Sequence, residues 1–299
     1  MRRLPFAGPG TPRLDAFILQ QEPGLSPGIL HKYLRENKIK LNGKKAPLGT
    51  RLNSGDEVCL YLPPKAAAAA SLEILYEDEQ LLAVNKPAGL LTLDENRPEN
   101  PNTLLARLTQ YAAGAFAVRL CHRLDTGTSG VVLAAKTAAA EQMVRGLIQQ
   151  HRLEKKYVCV TFGHPAPPAA TLAGWLSKNE QKGLVFINRQ KSPGAKPVET
   201  RYKTLARSGR LALLEIQLVT GRTHQIRAHL ASIGTPILGD SKYGNLAANR
   251  QLKCRYQCLC ASEVSFPAEL PAGFEACRGL CIACPKPWFF AQVAEGVLQ

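Results

Sequence analysis

The chain is 299 residues long, 45% hydrophobic and 20% charged, with 24 Gly and 21 Pro, a balance that excludes a fibrous or wholly disordered protein. Thirty-eight Lys and Arg against 23 Asp and Glu give a formal charge of +15, so polyanions, nucleic acid first among them, are the expected partners. No apolar run reaches the 18 residues of a membrane span, and the start MRRLPFAGPG lacks a signal-peptide core, so the protein is expected in the cytoplasm, with free thiols rather than disulfides among its nine cysteines.

Residues 1–63 read as a small α+β unit. Leu14 to Leu19 is the first helical stretch, and Ser26 followed by Pro27 is a cap and first-turn signal for a second, carrying Ile29, Leu30, Tyr33 and Leu34 up to Asn37. Lys38 to Leu41 alternates as a strand, Asn42-Gly43 marks a tight turn, and Glu57 to Leu62 is another strand. Arg13, Lys32, Arg35, Lys38, Lys40, Lys44 and Lys45 crowd this unit, a density suited to phosphate contacts. The order of elements and the stretch LSPGILHKYLRENKIKLNGKKA resemble the S-four RNA-binding domain, which implies a structured RNA partner.

Residues 64–71, rich in Pro and Ala, read as a linker, and 72–299 as the second domain. Leu81 to Val84 is a buried strand turning at Pro87 and Gly89, and Thr103 to Ala112 is helical. Val131 to Ala135, Tyr157 to Phe162, Val198 to Leu205 and Leu213 to Val219 are strands. Thr137 caps a helix through about His151, and a last helical pattern runs from Thr223 to Ile233, ended by Gly234. Strands not regularly separated by helices predict an α+β body with a largely antiparallel sheet rather than a doubly wound one.

Four segments carry the chemistry. His122-Arg123-Leu124-Asp125-Thr126-Gly127-Thr128-Ser129-Gly130 is a charged, small-residue loop running into an apolar strand, which brings a carboxylate to a strand edge. Ala83 to Leu90, Lys155-Lys156-Tyr157, and Thr220-Gly221-Arg222-Thr223-His224-Gln225-Ile226-Arg227-Ala228-His229 accompany it in order. Free N–H groups at the start of the last helix would favour an anion, phosphate or Asp125.

Together these segments resemble the RluA family of RNA pseudouridine synthases, through HRLD with a TSG segment, VNKPAG, the Lys-x-Tyr pattern and GRTHQIR. Thr126 with Gly127 departs slightly from the residues usual after the Asp. The resemblance implies that Asp125 is the catalytic carboxylate, that Tyr157 lies against the target base and that Arg222 approaches Asp125. Arg227 would then serve RNA or the fold. His122, Arg123, Thr223, His224 and Gln225 are the residues expected to meet RNA around them.

The implied reaction converts uridine to pseudouridine by breaking the N-glycosidic bond and joining a ring carbon to the same sugar carbon, after the base has been flipped into the site. A carboxylate could attack the sugar, add to the ring or act as a base. The isomerisation needs no cofactor, and no dinucleotide fingerprint, P-loop or deaminase motif occurs. No metal is expected: His224 and His229, at i and i+5, point apart, and Cys254, Cys258, Cys260, Cys277, Cys281 and Cys284 are irregularly spaced, only the last two having the common two-residue gap. Ribosomal RNA of the large subunit is the favoured substrate, with transfer RNA open and a monomer as the default. The competing class is a non-catalytic RNA-binding or ribosome-assembly factor.

Overall fold

A computed structural model describes residues 2–22, 27–61, 72–179, 181 and 183–298, with the side chains of residues 27–29 and 32 left aside. Ser26, the linker 64–71 and the side chain of Lys32 therefore lie outside the described residues. The chain forms two units, Met1–Leu72 with Asp94–Tyr111, and Glu73–Leu93 with Ala112–Gln299. The body expected to start at residue 72 is thus interrupted by 94–111, which groups with the first unit.

In the first unit, β1 (Arg2–Pro5), α1 (Leu14–Gln21), α2 (Pro27–Arg35), β2 (Ile39–Leu41), β3 (Lys44–Lys45) and β4 (Glu57–Leu60) are followed, after the excursion, by α3 (Leu104–Ala112). The sheet order is β1-β4-β2-β3. Asn42 and Gly43 both take positive φ, 50° and 77°, the pair of left-handed residues that a two-residue hairpin between β2 and β3 requires. Leu14, Ile18, Leu30, Leu34, Ile39, Leu52, Val58 and Leu60 form its core, with Phe6 edge-on to Phe17.

Arg13, Arg35, Lys44 and Lys45 are exposed and Lys38 and Lys40 half-buried. Two of the expected RNA contacts also have partners in the chain: Arg13 grips Asp15 at 2.7 and 3.0 Å and Lys38 meets Glu36 at 2.7 Å.

The second unit contains β5 (Glu73–Glu77), β6 (Leu81–Lys86), β7 (Arg119–Leu120), β8 (Ser129–Ala135), α4 (Ala138–Gln149), β9 (Glu154–Phe162), β10 (Ala169–Asn179), β11 (Leu184–Asn188), β12 (Lys196–Ser208), β13 (Leu211–Leu218), α5 (Gln225–Ser232), α6 (Leu246–Gln251), β14 (Leu259–Ser265), β15 (Cys281–Ala283) and α7 (Trp288–Ala294). Its sheet runs β11-β10-β12-β13-β9-β14-β8-β6-β5, with β7 on β8 and β15 on β14. Among the described residues every pairing is antiparallel except β14 with β8, so the expected α+β body with a largely antiparallel sheet is what the chain builds.

That one parallel join sits beside the chemistry. Gly130, the second residue of β8, pairs with Ala261 of β14 at φ 110°, and a Cβ there would run into the Ala261 carbonyl, so only glycine lets the two strands meet directly after the Asp125 loop. Thr137 caps α4 by accepting the N–H of Ala140. Leu81, Ala83, Val131, Leu133, Val144 and Leu147 pack between the helix and the sheet, anchoring the strands that carry the loop.

Candidate active site

Asp125 lies on the loop between β7 and β8, and three sets of bonds fix that loop. The Thr128 N–H returns to the Asp125 carbonyl at 3.0 Å; Thr92 Oγ donates to the Leu124 carbonyl at 2.7 Å and accepts the Leu124 N–H at 3.2 Å; Gln257 Nε2 donates to Thr128 Oγ at 2.8 Å. The turn after β6 is joined to the loop by the Gly89 N–H, 2.7 Å from the Thr126 carbonyl.

Lys86, completely buried, completes that joint by donating to the carbonyls of Leu90, Pro87 and Thr126 at 2.8, 3.1 and 3.3 Å. Burial pushes its ammonium down to about 7, partly offset by the charge of Asp125. Lys86→Met, which keeps the stem but strips the buried Leu90 carbonyl and the part-buried carbonyls of Pro87 and Thr126 of their donor, is expected to cost about 2–4 kcal/mol in chemical denaturation. A loss under 1 kcal/mol would mean that the lysine does not hold the turn to the loop.

The carboxylate of Asp125 is 27% exposed and receives Arg227 Nη1 on Oδ2 at 2.7 Å. Arg227, 4% exposed, is itself held by Asp240, whose two oxygens take Nε and Nη2 at 2.7 and 2.8 Å, and its guanidinium lies over the ring of Tyr243 at 5.1 Å. Burial would lower the Arg227 pKa, but the hydrogen bonds and charge of Asp240 outweigh it and the guanidinium is raised further. Burial likewise opposes the charge on Asp240, yet Arg227 and the N–H groups of Lys242 and Tyr243 hold its carboxyl below the ordinary range.

The cation of Asp125 is therefore Arg227, which corrects the expectation that Arg222 would approach it. Arg222 is exposed in the loop before α5, whereas Arg227 sits in the first turn of α5 on the buried face between Ile226 and Ala228. Helical side chains lean toward the N-terminus, which carries the Arg227 guanidinium back to Asp125.

His224 stands at the N-cap of α5 in the left-handed region, φ 56°, so the helix starts at Gln225 rather than Thr223. Its Nδ1 lies 3.0 Å from the Tyr243 hydroxyl, which accepts the Val185 N–H at 2.8 Å, and its Nε2 lies 3.8 Å from Asp125 Oδ2. With the Tyr243 proton directed to Nδ1, the imidazole turns an Nε2–H toward Asp125. Burial lowers the His224 pKa against the pull of Asp125, favouring this neutral ring.

Gln225, expected to meet RNA, is buried and committed to the fold. Its Nε2 donates to the Glu199 carbonyl at 2.9 Å and to Thr200 Oγ at 3.0 Å, while Oε1 accepts Thr220 Oγ and the Arg222 N–H at 2.9 and 3.1 Å. No donor is left for RNA, and its work is to lock β12 to the start of α5. His122 also serves the frame: its Nε2 accepts the Leu133 N–H at 3.1 Å, and burial pushes it down to about 4. His229 is buried against Thr200 Oγ at 2.8 Å, away from His224.

Around Asp125 opens a cavity of about 300 Å³ whose wall includes Arg123, Tyr157, Lys155, Gly221, Arg222, Thr223 and Arg227. Tyr157, 8% exposed, presents its ring from β9; burial and the charge of Asp125 push its hydroxyl up, so it stays a phenol. A second cavity of about 240 Å³ shares Asp125, Arg123 and His224 and adds Thr92, Lys242 and Gln257. The site is therefore a carboxylate on a wall common to two hollows, one with an aromatic face.

Sequence reading alone missed Asp240, Tyr243, Thr92 and Gln257, and gave Lys86 no role of its own within the VNKPAG segment. An arginine set between Ile226 and Ala228 in a short helix was a usable signal, because such a charge, once buried, demands a buried partner. Among the described residues no group of three His, Cys, Asp or Glu is placed to hold a metal ion. Cys260 and Cys284 approach to 3.5 Å as free thiols.

A carboxylate held by Arg227, an aromatic wall and a surrounding set of cations thus share one cavity on a mixed sheet with one parallel join. The family model for RNA pseudouridylate synthases matches residues 80–232, and the chain belongs to that family, in its RluA-type branch. An uncharacterised RNA pseudouridine synthase of Mycoplasma pneumoniae is 33% identical over 85% of this chain and 84% of its own length. The ribosomal large subunit pseudouridine synthase C of Rickettsia prowazekii is 32% identical over 78% and 82%. The structure of human RNA pseudouridylate synthase domain containing 4 superposes with a TM-score of 0.60 at 25% identity, covering 75% of this chain and 92% of that one.

Proposed function

We propose that this protein isomerises specific uridines of large-subunit ribosomal RNA to pseudouridine, with Asp125 as the catalytic carboxylate. The observation that carries the reading is the Asp125–Arg227 pair at 2.7 Å, opening on a cavity that Tyr157 lines. The target base, flipped from its helix, stacks on Tyr157 with its sugar toward Asp125. Arg227 fixes the rotamer of the carboxylate, and Arg123, Arg222 and Thr223 at the cavity wall contact the RNA. Bond bookkeeping is internal: N1–C1′ breaks, C5–C1′ forms, and the proton leaving C5 is balanced by the one gained at N1.

Support for ribosomal RNA comes from the names of the relatives and from the charge of +15. Arg35, Lys40, Lys44 and Lys45 of the S-four-like first unit supply phosphate contacts for the same RNA. Carbodiimide mapping of pseudouridine in total RNA, from cells with and without the gene, is expected to show particular large-subunit sites lost and then restored by the wild-type gene. Loss confined to transfer RNA would redirect the substrate, and an unchanged map would favour a binding factor without catalysis.

A further inference from the structure

Lys155 is a buried cation for which the fold offers no partner. It is 9% exposed, and among the described residues no hydrogen bond or ion pair reaches its ammonium. The adjacent lysine shows the contrast, since Lys156 points to the other side of β9 and meets Glu263 at 2.8 Å. Burying an unpaired charge is costly, and the expense shows as an ammonium whose pKa is lowered by burial alone.

Its surroundings say what would compensate. Lys155 and Tyr157 alternate to the same face of β9, so both line the cavity, separated by about 7 Å along the strand. A Cβ placed on Gly221 would lie 3.2 Å from Nζ, which puts the ammonium against the 220–224 loop. That loop leads into the N-terminal turn of α5, which no side chain caps and whose dipole favours anions, and it carries Arg222. A cation, a second cation and a helix N-terminus thus converge one side-chain step along from the ring of Tyr157.

Resting on the assignment of this cavity to a flipped uridine, we propose that Lys155, with Arg222 and the first turn of α5, binds a backbone phosphate of the target nucleotide. The pocket then holds its substrate at two points, the base on Tyr157 and a phosphate at Lys155. The chemistry of the ligand is a non-bridging phosphate oxygen, contributed by the linkage on either the 5′ or the 3′ side of the target.

The test uses the full-length enzyme and an RNA fragment containing the modified uridine, made with the natural backbone or with an uncharged methylphosphonate at the 5′ or the 3′ linkage. Lys155→Met, which keeps the apolar stem, is expected to raise KM about 10- to 100-fold while kcat changes little, and Lys155→Arg to recover most of the loss. In the wild type, one of the two methylphosphonates should raise KM by a similar factor and add nothing further in Lys155→Met. The wild-type KM should also climb toward alkaline pH as the ammonium is lost, a trend absent from the Met variant.

Penalties that simply multiply at both linkages, or a loss carried by kcat at constant KM, would overturn the phosphate subsite. The two methylphosphonates probe the wild type directly, so the proposal stays open to refutation even where the variant folds poorly. Wild-type turnover separates the claims: no pseudouridine from wild type overturns the uridine reading and this one together, whereas normal turnover with multiplying penalties overturns only this one.

Discussion

Asp125→Asn is expected to lower pseudouridine formation by at least about four orders of magnitude while RNA affinity stays within about threefold. The amide is isosteric and still offers an oxygen to Arg227, and Arg227 keeps its two bonds to Asp240, so no buried charge is stranded. The loop also keeps its shape, because its bonds run through the backbone, Thr92, Thr128 and Lys86 rather than through the Asp125 side chain. Single-turnover conversion of the RNA fragment measured beside gel-shift affinity separates the two effects. Conversion within tenfold of wild type would remove Asp125 from the chemistry; an affinity collapse with a lowered melting temperature would show that the carboxylate is structural.

The elements that sequence reading recovered are those whose local pattern and tertiary environment agree. Leu81–Lys86 and Ser129–Ala135 are apolar runs buried in the middle of a sheet, and Thr137 is a cap whose bond is made within its own helix. The hairpin β10–β11 escaped because AATLAGWLSKN, rich in Ala and carrying a Gly, has little strand preference of its own; its register with β12 supplies the extended state. The strand β1 escaped for a similar reason, since Arg2–Pro5 is extended only by pairing with Glu57–Leu60.

The site divides in the same way. Asp125, Tyr157 and the 222–227 segment are close-set motifs and were visible. Asp240, by contrast, lies 13 positions after Arg227 in a Gly-Asp-Ser-Lys turn that reads as an ordinary loop, and only packing brings it onto the guanidinium. Arg227 takes the place expected of Arg222 because the left-handed residue His224 starts the helix two positions late, which leaves Arg222 in the loop at the cavity wall and Arg227 in the first turn.

Asp240 is expected to matter nearly as much as Asp125, for a different reason. It is completely buried, binds Arg227 through both oxygens and accepts the N–H groups of Lys242 and Tyr243 at 2.8 and 3.1 Å. Asp240→Ala leaves a buried guanidinium half-satisfied and two N–H groups unpaired, at a cost of about 3–5 kcal/mol. In a chain of this size that corresponds to a fall in melting temperature of roughly 5–8 °C. Activity should drop as well, because Arg227 is then free to swing from Asp125.

The double variant Asp240→Leu with Arg227→Met removes both charges and is expected to regain a large part of the stability and none of the activity. The pH dependence carries the same signature. Asp240 has a folded pKa below its unfolded value, so its contribution is complete above the ordinary carboxylate range and is lost as pH falls through the folded value. The wild type should therefore shed stability in acid more steeply than the double variant. A double variant as unstable as Asp240→Ala, or one that retains turnover, would show that the pair does not act by holding Arg227 on Asp125.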